Sequence, residues 1–351
     1  MRVSAANNLS LALAAALCIV MIAPAARAAS YHALLCGSGG EAEYSEKFRD
    51  WGMRLRDTLV MRLGVPAGNV VLLTEPETDI QTPALTTTNL KSIRAVFAAM
   101  SDSVTPDDDL FVYFIGHGSY LKNISKFHVP GADLTADELD ELLQAIPARR
   151  TIVLNGTSSS AGFINVLSGE GRVICTATKS VSEINATEFM GFFIEGLEDG
   201  SADRNHDDRI SFLEACEQAS ELTASWYTSE GLIATEHAIL DDNGDGLGSR
   251  LPIEIFDLSA EEDEDTAGGD EILDGALARQ CYIKDYSFHP SVPQELIDTY
   301  LSALVEVEAL KAEKLQLAEE AYFAQLEELL LKAARSNRKI RSYNALLDAD
   351  S

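Results

Sequence analysis

Short apolar runs alternate with helical patterns over residues 31–251. Each run is rich in Val, Ile, Leu and Phe and ends at a glycine or a polar turn. Continuous apolar runs of this length indicate strands that are buried on both faces, as in a parallel sheet. The predicted strands are YHALLCG at 31–37, NVVLLTE at 69–75, DLFVYFIGHGS at 109–119, TIVLNGT at 151–157 and RVICTAT at 172–178.

Between these runs, apolar residues recur every three or four positions, which predicts helices that pack on the sheet. The predicted helices cover residues 48–63, 90–100, 134–143, 188–197 and 212–225. Strands that alternate with helices in this way predict an α/β domain of three layers with a mainly parallel sheet. We place this domain at residues 29–255. In such domains, functional residues gather beyond the carboxyl ends of the strands.

The composition changes after the α/β domain. Residues 261–271, EEDEDTAGGDE, are acidic and offer almost no core material, so we predict an acidic linker over residues 256–280. Residues 281–351 again show helical spacing, with Tyr300, Val307 and Leu310 on one stripe and Leu326 and Leu330 on another. This pattern predicts a helical hairpin or short coiled coil, which gives the chain a route to self-association.

The N-terminus has the features of a secretion signal. Arg2 precedes an apolar run over residues 9–24, and Ala26 and Ala28 are the small residues that a signal peptidase accepts. We therefore interpret residues 1–28 as a signal peptide and expect an exported protein, periplasmic or extracellular. A transmembrane anchor is the alternative, but the run is shorter than the roughly 20 residues that span a bilayer. No stable membrane anchor is expected.

The formal net charge of -29 narrows the choice of partners. Such an acidic chain argues against nucleic acid and anionic membrane surfaces as partners. It is also compatible with bound divalent cations. Beyond the signal peptide, Cys36, Cys175, Cys216 and Cys281 allow three complete disulfide pairings, among which the sequence does not choose.

A Gly-His-Gly turn ends the most apolar strand and contains His117. This position is where parallel sheets place functional residues, and an imidazole can transfer protons near neutral pH. Gly118 allows backbone N–H groups to approach a substrate carbonyl oxygen, as an oxyanion hole requires. The turn is therefore a candidate catalytic element.

This turn and the next one resemble those of the legumain family and its caspase relatives. In that family an apolar-His-Gly strand end is followed, on the next strand, by an Ala-Cys-x-Ser-Gly-Gly type turn that carries the nucleophile. Here the next strand continues as TIVLNGTSSSAGF, and aligning Ser160, Ala161 and Gly162 puts Ser158 at the cysteine position. The following RVICTATKSVSEINAT is similar to a bacterial branch of the family. The resemblance covers residues 31–251 and implies a caspase-like fold.

Serine at the nucleophile position changes the expected chemistry. A thiol is partly ionised near neutral pH, whereas a serine hydroxyl needs a base in direct hydrogen-bond contact. One hypothesis is therefore a non-hydrolytic relative that uses the fold for binding or scaffolding, for which the resemblance implies a protein or peptide ligand. A second is an active endopeptidase in which Ser158 attacks, His117 transfers protons, and the N–H groups of Gly118 and Ser158 hold the oxyanion. A third is an unrelated α/β domain with glycine- and serine-rich turns.

Residues 203–214 match a twelve-residue EF-hand loop. Oxygen ligands fall at Asp203, Asn205 and Asp207, followed by the backbone of Arg209 and the carboxylate of Glu214. The loop departs from the pattern at Asp208, where glycine normally takes a positive φ. The sequence therefore predicts a structural calcium ion, and the alternative is an acidic helix-capping turn without metal.

A weaker calcium site is predicted at Asp241, Asn243 and Asp245. These residues match the first half of an EF-hand loop, but the last ligand position falls on Pro252. A solvated turn explains the same pattern. His237, which precedes this loop, is interpreted as the polar end of a strand. The domain as a whole is thus expected to be a calcium-stabilised binding or scaffold protein.

Overall fold

The computed structural model describes residues 29–75, 87–253, 274–285, 288, 291–312, 314 and 317–348. The predicted signal peptide and most of the predicted acidic linker lie outside the described residues. The described strands are β1 Ser30–Cys36, β2 Val70–Leu73, β3 Asp109–Ile115, β4 Gly118–Leu121, β5 Ile124–Phe127, β6 Leu134–Thr135, β7 Arg150–Asn155, β8 Arg172–Thr176, β9 Ile210–Ser211, β10 Ile239–Asp241, β11 Ser249–Arg250 and β12 Tyr282–Lys284. The α-helices are α1 Ala42–Asp57, α2 Leu90–Ser103, α3 Ala136–Gln144, α4 Ile164–Leu167, α5 Phe189–Asp199, α6 Phe212–Ser229, α7 Gln294–Ala312 and α8 Glu319–Asp348.

Seven of the described strands form the central sheet, in the order β11-β10-β8-β7-β3-β1-β2. The five strands from β8 to β2 pair in parallel, as the continuous apolar runs predicted. The last two strands, β10 and β11, pair antiparallel and close one edge of the sheet. The sheet is therefore mixed but mostly parallel, and the carboxyl ends of its parallel strands share one edge.

Helices cover both faces of this sheet, because the strand side chains alternate between two apolar clusters. One cluster joins strand residues such as Leu34 and Tyr113 to helices α1, α5 and α6. The other cluster joins Leu35 and Phe114 to helices α2, α3 and α4. The predicted three-layer α/β fold is confirmed.

The C-terminal helices form the predicted hairpin, in which α7 packs along α8 around a small apolar core. Residues 274–285 precede this hairpin and pack on the α/β domain. In this segment β12 pairs with β9, and the carboxylate of Asp274 accepts hydrogen bonds from the N–H groups of Asp242 and Ser249. No helix within the described part of the chain is both long enough and apolar enough to span a bilayer.

Candidate functional site at the carboxyl edge of the sheet

Adjacent strands bring the two predicted catalytic turns together. Strands β3 and β7 pair in parallel, with Phe114 opposite Asn155, so the turns that follow them leave the same edge of the sheet. The backbone N–H of Gly156 also donates to the carbonyl of Phe114 at 3.0 Å. His117 and Ser158 therefore sit on neighbouring turns, although the catalytic roles of these residues stay predictions.

The Ser158 hydroxyl is hydrogen bonded to the backbone of Gly118 on both sides. It donates to the Gly118 carbonyl oxygen at 3.1 Å and accepts from the Gly118 N–H at 3.2 Å. Ser158 is only 3% exposed. A Cβ built on Gly118 would lie 2.6 Å from both the Ser158 carbonyl oxygen and Oγ1 of Thr157, so only glycine fits this close approach. The nucleophile candidate and an oxyanion-hole donor candidate are thus paired with each other.

Further hydrogen bonds fix the turn after β7. Oγ1 of Thr157 donates to the Asn155 side chain at 2.7 Å, and the Ser159 N–H donates to the carbonyl of Glu183 at 2.8 Å. Ser159 adopts a left-handed φ of 53°, and the hydroxyls of Ser160 and Thr178 are 3.0 Å apart. The serine-rich turn is therefore buried and held by its own neighbours, with no hydroxyl of Ser158, Ser159 or Ser160 on the surface.

His117 faces α1 through two aromatic contacts. Its ring meets those of Tyr44 and Phe48 edge-on, with centroids 4.8 and 5.0 Å apart. Burial lowers the pKa of His117, and the nearby His128 and Lys47 act in the same direction, while a backbone hydrogen bond to Gly39 opposes them. The imidazole is consequently favoured in its neutral form, which can accept a proton.

No hydrogen bond joins the His117 ring to the Ser158 hydroxyl among the described residues; the hydroxyl's partners are both on Gly118. A serine nucleophile needs a base that takes its proton, and here that proton points to a backbone carbonyl. In this conformation the arrangement does not activate Ser158.

Glu75 fixes the loop that contacts His117. Its carboxylate accepts hydrogen bonds from the N–H of Gly39 and from the hydroxyls of Ser38 and Ser45. Because Gly39 is the backbone partner of His117, Glu75 positions the ring indirectly. This role could not be predicted from the sequence, because Glu75 lies 42 residues before His117, at a polar strand end.

A second histidine at the same edge has a carboxylate partner. Nδ1 of His237 lies 2.6 Å from Oε1 of Glu183, and the two side chains are 26% and 12% exposed. Glu183 is the residue whose carbonyl accepts from Ser159, so this pair lies beside the serine-rich turn. The sequence pattern indicates only a polar strand end at His237, because the partner of this residue is 54 positions away.

The EF-hand-like loop has a left-handed backbone at Asp208, although this position departs from the usual glycine. Asp208 takes a φ of 68° at the position where glycine is usual, and His206 takes 58°. The Asp203 carboxylate accepts from the N–H groups of Asp207 and Asp208, and Asn205 Oδ1 also accepts from the Asp207 N–H. These oxygens line the inside of the loop between α5 and α6.

The remaining predicted calcium ligands in this loop have other contacts. Asp207 pairs with the Arg209 guanidinium, and Glu214 forms a capping box with Ser211 at the start of α6. The donor set is one that a hard cation prefers, since it consists of carboxylate, amide and backbone oxygens. However, no group of three His, Cys, Asp or Glu side chains suited to a metal is gathered in the described part of the chain. Calcium therefore stays a prediction.

The second acidic loop is joined to the segment before the hairpin. Oδ1 of Asp241 accepts from the Gly244 N–H, and Asp245 accepts from the Leu247 N–H. Between them, Asn243 accepts from Asp245. Asp242, which is not a predicted ligand, accepts from the N–H groups of Gly275 and Ala278. These contacts attach the loop to the segment before the hairpin, and the second calcium site stays a prediction.

All four cysteines of the α/β domain and the segment that follows it are free thiols and are buried. Cys175 on β8 and Cys216 on α6 are in hydrogen-bond contact with each other, and burial raises the pKa of Cys216 well above its ordinary value. Burial also raises the pKa values of Cys36 and Cys281 to about 12. Cys36, Cys216 and Cys281 therefore lack the ionised character that a replacement nucleophile needs.

Comparison with known proteins adds no family name. No family model matches the chain, and no curated protein matches it significantly. Kinship with legumains and caspases therefore rests only on the resemblance of the two turns and of the segment that follows them, and it stays a prediction.

Proposed function

We propose that this protein is an exported legumain- or caspase-like homologue that binds a protein or peptide ligand without cleaving it. The observation that supports this proposal is the pairing of the Ser158 hydroxyl with the backbone N–H and carbonyl of Gly118. Hydrolysis needs that hydroxyl to face a base and that N–H to face the substrate oxygen. Each of the two groups is instead the other's hydrogen-bond partner.

Exposed apolar residues beside the turn provide a surface for such a ligand. The hairpin of β4 and β5 begins at Gly118, and its tip exposes Tyr120, Leu121 and Ile124, with Leu121 64% exposed. Ile184, in the loop that contacts the serine-rich turn, is also exposed. Contiguous exposed apolar residues are typical of interaction sites.

The rival function is an active endopeptidase that uses Ser158 and His117. It is favoured only by the position of the two turns on neighbouring strands. A fluorophosphonate probe separates the two functions, because it reacts with activated serines. We expect no labelling of the wild type and no peptide cleavage by Ser158→Cys; labelling that disappears in Ser158→Ala would establish the peptidase instead.

Binding is tested with the immobilised full chain and a random peptide pool. We expect the wild type to retain peptides and Leu121→Asp, at the hairpin tip, to retain several-fold fewer. Leu331→Asp is the matched control, since Leu331 is similarly exposed but lies on the C-terminal hairpin. If the wild type retains no peptide, or if both variants lose binding equally, the proposed binding function is wrong.

A further inference from the structure

A cavity of about 330 Å³ lies beside the His237–Glu183 pair. Its walls come from the C-terminal half of α6, from residues 232–238 and 250–251, and from the end of β8. Ligand pockets begin at about this volume, which suits one side chain rather than a large molecule. The cavity is therefore a candidate subsite at the same edge of the sheet as the serine-rich turn.

The polar side chains of the cavity present mainly acceptors. The hydroxyls of Ser220, Thr223 and Thr228 line it, and each donates its proton to a backbone carbonyl, at 3.1, 2.7 and 2.9 Å. A hydroxyl whose proton is used in this way keeps lone pairs that accept hydrogen bonds. A ligand group that carries several donors and no acceptors is complementary to such a wall.

Glu236 adds a buried carboxylate to the lining. It is 4% exposed, and its oxygens accept from the N–H groups of Glu188 and Phe189 at the start of α5. Burial raises the pKa of Glu236 to about 7, against the opposing effect of these N–H groups and of a hydrogen bond from the Tyr227 hydroxyl. A cation close to Glu236 would favour the ionised form of this carboxylate.

The other charged lining groups lie towards the surface. His237 is partly exposed and paired with Glu183, and Arg250 is exposed. The net charge of -29 also favours the approach of a cation to this surface. The buried carboxylate of Glu236 and the hydroxyl oxygens of α6 therefore both favour a cationic hydrogen-bond donor, and the opposing positive charge of Arg250 is exposed to solvent.

We propose that this cavity binds one lysine-like cationic side chain of a peptide ligand, with the ammonium group near Glu236 and its hydrogen bonds made to the hydroxyl oxygens of α6. Ala177, Leu232 and Leu251 supply apolar walls for the methylene groups. An ammonium has three donors and no acceptor, which matches this lining. This inference rests on the proposed binding function and names the side chain that the site selects.

The test compares N-acetyl-lysine methylamide with N-acetyl-norleucine methylamide, binding to the full chain by calorimetry. The two probes share the aliphatic stem and differ by the ammonium group. We expect the wild type to prefer the lysine probe by at least about tenfold and Glu236→Gln to lose that preference. Equal affinities for the two probes would overturn the proposal.

A second variant covers the case in which Glu236→Gln does not fold, since Glu236 also contacts the start of α5. Ala224 lines the cavity and is exposed, so Ala224→Trp should block the entrance and abolish binding of the lysine probe. Ala99→Trp, at an exposed position of α2 on the other face of the sheet, should bind like the wild type. Retained lysine binding in Ala224→Trp contradicts the proposal.

The peptide-pool experiment distinguishes failure of this inference from failure of the proposed function. If the pool is retained without enrichment of lysine, and the lysine probe does not bind, the cavity inference is wrong while peptide binding stands. If nothing in the pool is retained and the lysine probe also fails to bind, both are wrong.

Discussion

The two neighbouring parts of the sheet edge differ in how their polar groups are satisfied. At the turn that carries Ser158, the hydroxyl, the Gly118 N–H and the Gly118 carbonyl are partners of one another. In the cavity near His237, the hydroxyls of α6 donate to their own backbone but keep acceptor capacity for a ligand. The turn that resembles a catalytic motif is therefore closed on itself, whereas the hydroxyls near the cavity keep lone pairs that can accept further hydrogen bonds.

The largest expected effect concerns the close approach at Gly118. We expect Gly118→Ala to lower the free energy of unfolding by about 2–3 kcal/mol, because the added Cβ would overlap the Ser158 carbonyl and the Thr157 hydroxyl. Urea unfolding followed by circular dichroism measures this loss. Gly68→Ala is the control, since a Cβ there meets nothing within 4 Å. A wild-type-like Gly118→Ala would show that the turn is not closed as described.

Calcium binding tests whether the oxygens of the 203–214 loop are satisfied by protein partners, as at the Ser158 turn, or can still bind a ligand, as in the cavity. If its oxygens bind calcium with the affinity of extracellular modules, a concentration tenfold above the dissociation constant stabilises the fold by about 1.4 kcal/mol. We expect a higher melting temperature in millimolar calcium than in chelator, and no such difference in Asp203→Ala. Equal melting temperatures of the wild type in calcium and in chelator would mean that the loop binds no stabilising ion. Its oxygens would then be satisfied by the backbone N–H groups of the loop, as the Ser158 hydroxyl is by Gly118.

The smallest expected effect concerns the carboxylate partner of His237. Glu183→Gln should lower the free energy of unfolding by about 1 kcal/mol, because it replaces a short, partly buried charge-assisted contact with a neutral one. Chemical unfolding measures the change. Glu170→Gln is the control, because Glu170 is exposed and outside the site. An equal loss in both variants would mean that the His237–Glu183 pair contributes nothing specific.

The sheet could be predicted because strands that are buried on both faces have continuous runs of apolar residues in the sequence. After Asp109, the run DLFVYFI contains no charged residue, and all seven residues of β3 are buried. The proximity of the turns after β3 and β7 could be predicted too, since the carboxyl ends of parallel strands lie at one edge of the sheet. The hairpin also followed from helical spacing, although Leu330, placed on its apolar stripe, is 48% exposed.

Other features could not be predicted because they depend on residues far apart in the chain. His237 meets Glu183 across 54 residues, and Glu75 reaches Gly39 across 36. Short strands also escape detection: β12 has three residues, and its partner β9 lies within a loop that the sequence pattern assigned only to calcium. A hydrophobic pattern reports burial, but it does not report which polar groups become partners.

The attachment of residues 274–285 to the α/β domain affects how the two parts of the chain can be separated. Tyr282 stacks under the Arg209 guanidinium at 4.0 Å, and Arg150 donates to the Gln280 carbonyl. A protease that cuts between residues 253 and 274 would break one covalent connection and leave these contacts intact. The two fragments should then migrate together in a native gel and separate only in detergent, so a nick in this protein need not release its C-terminal helices.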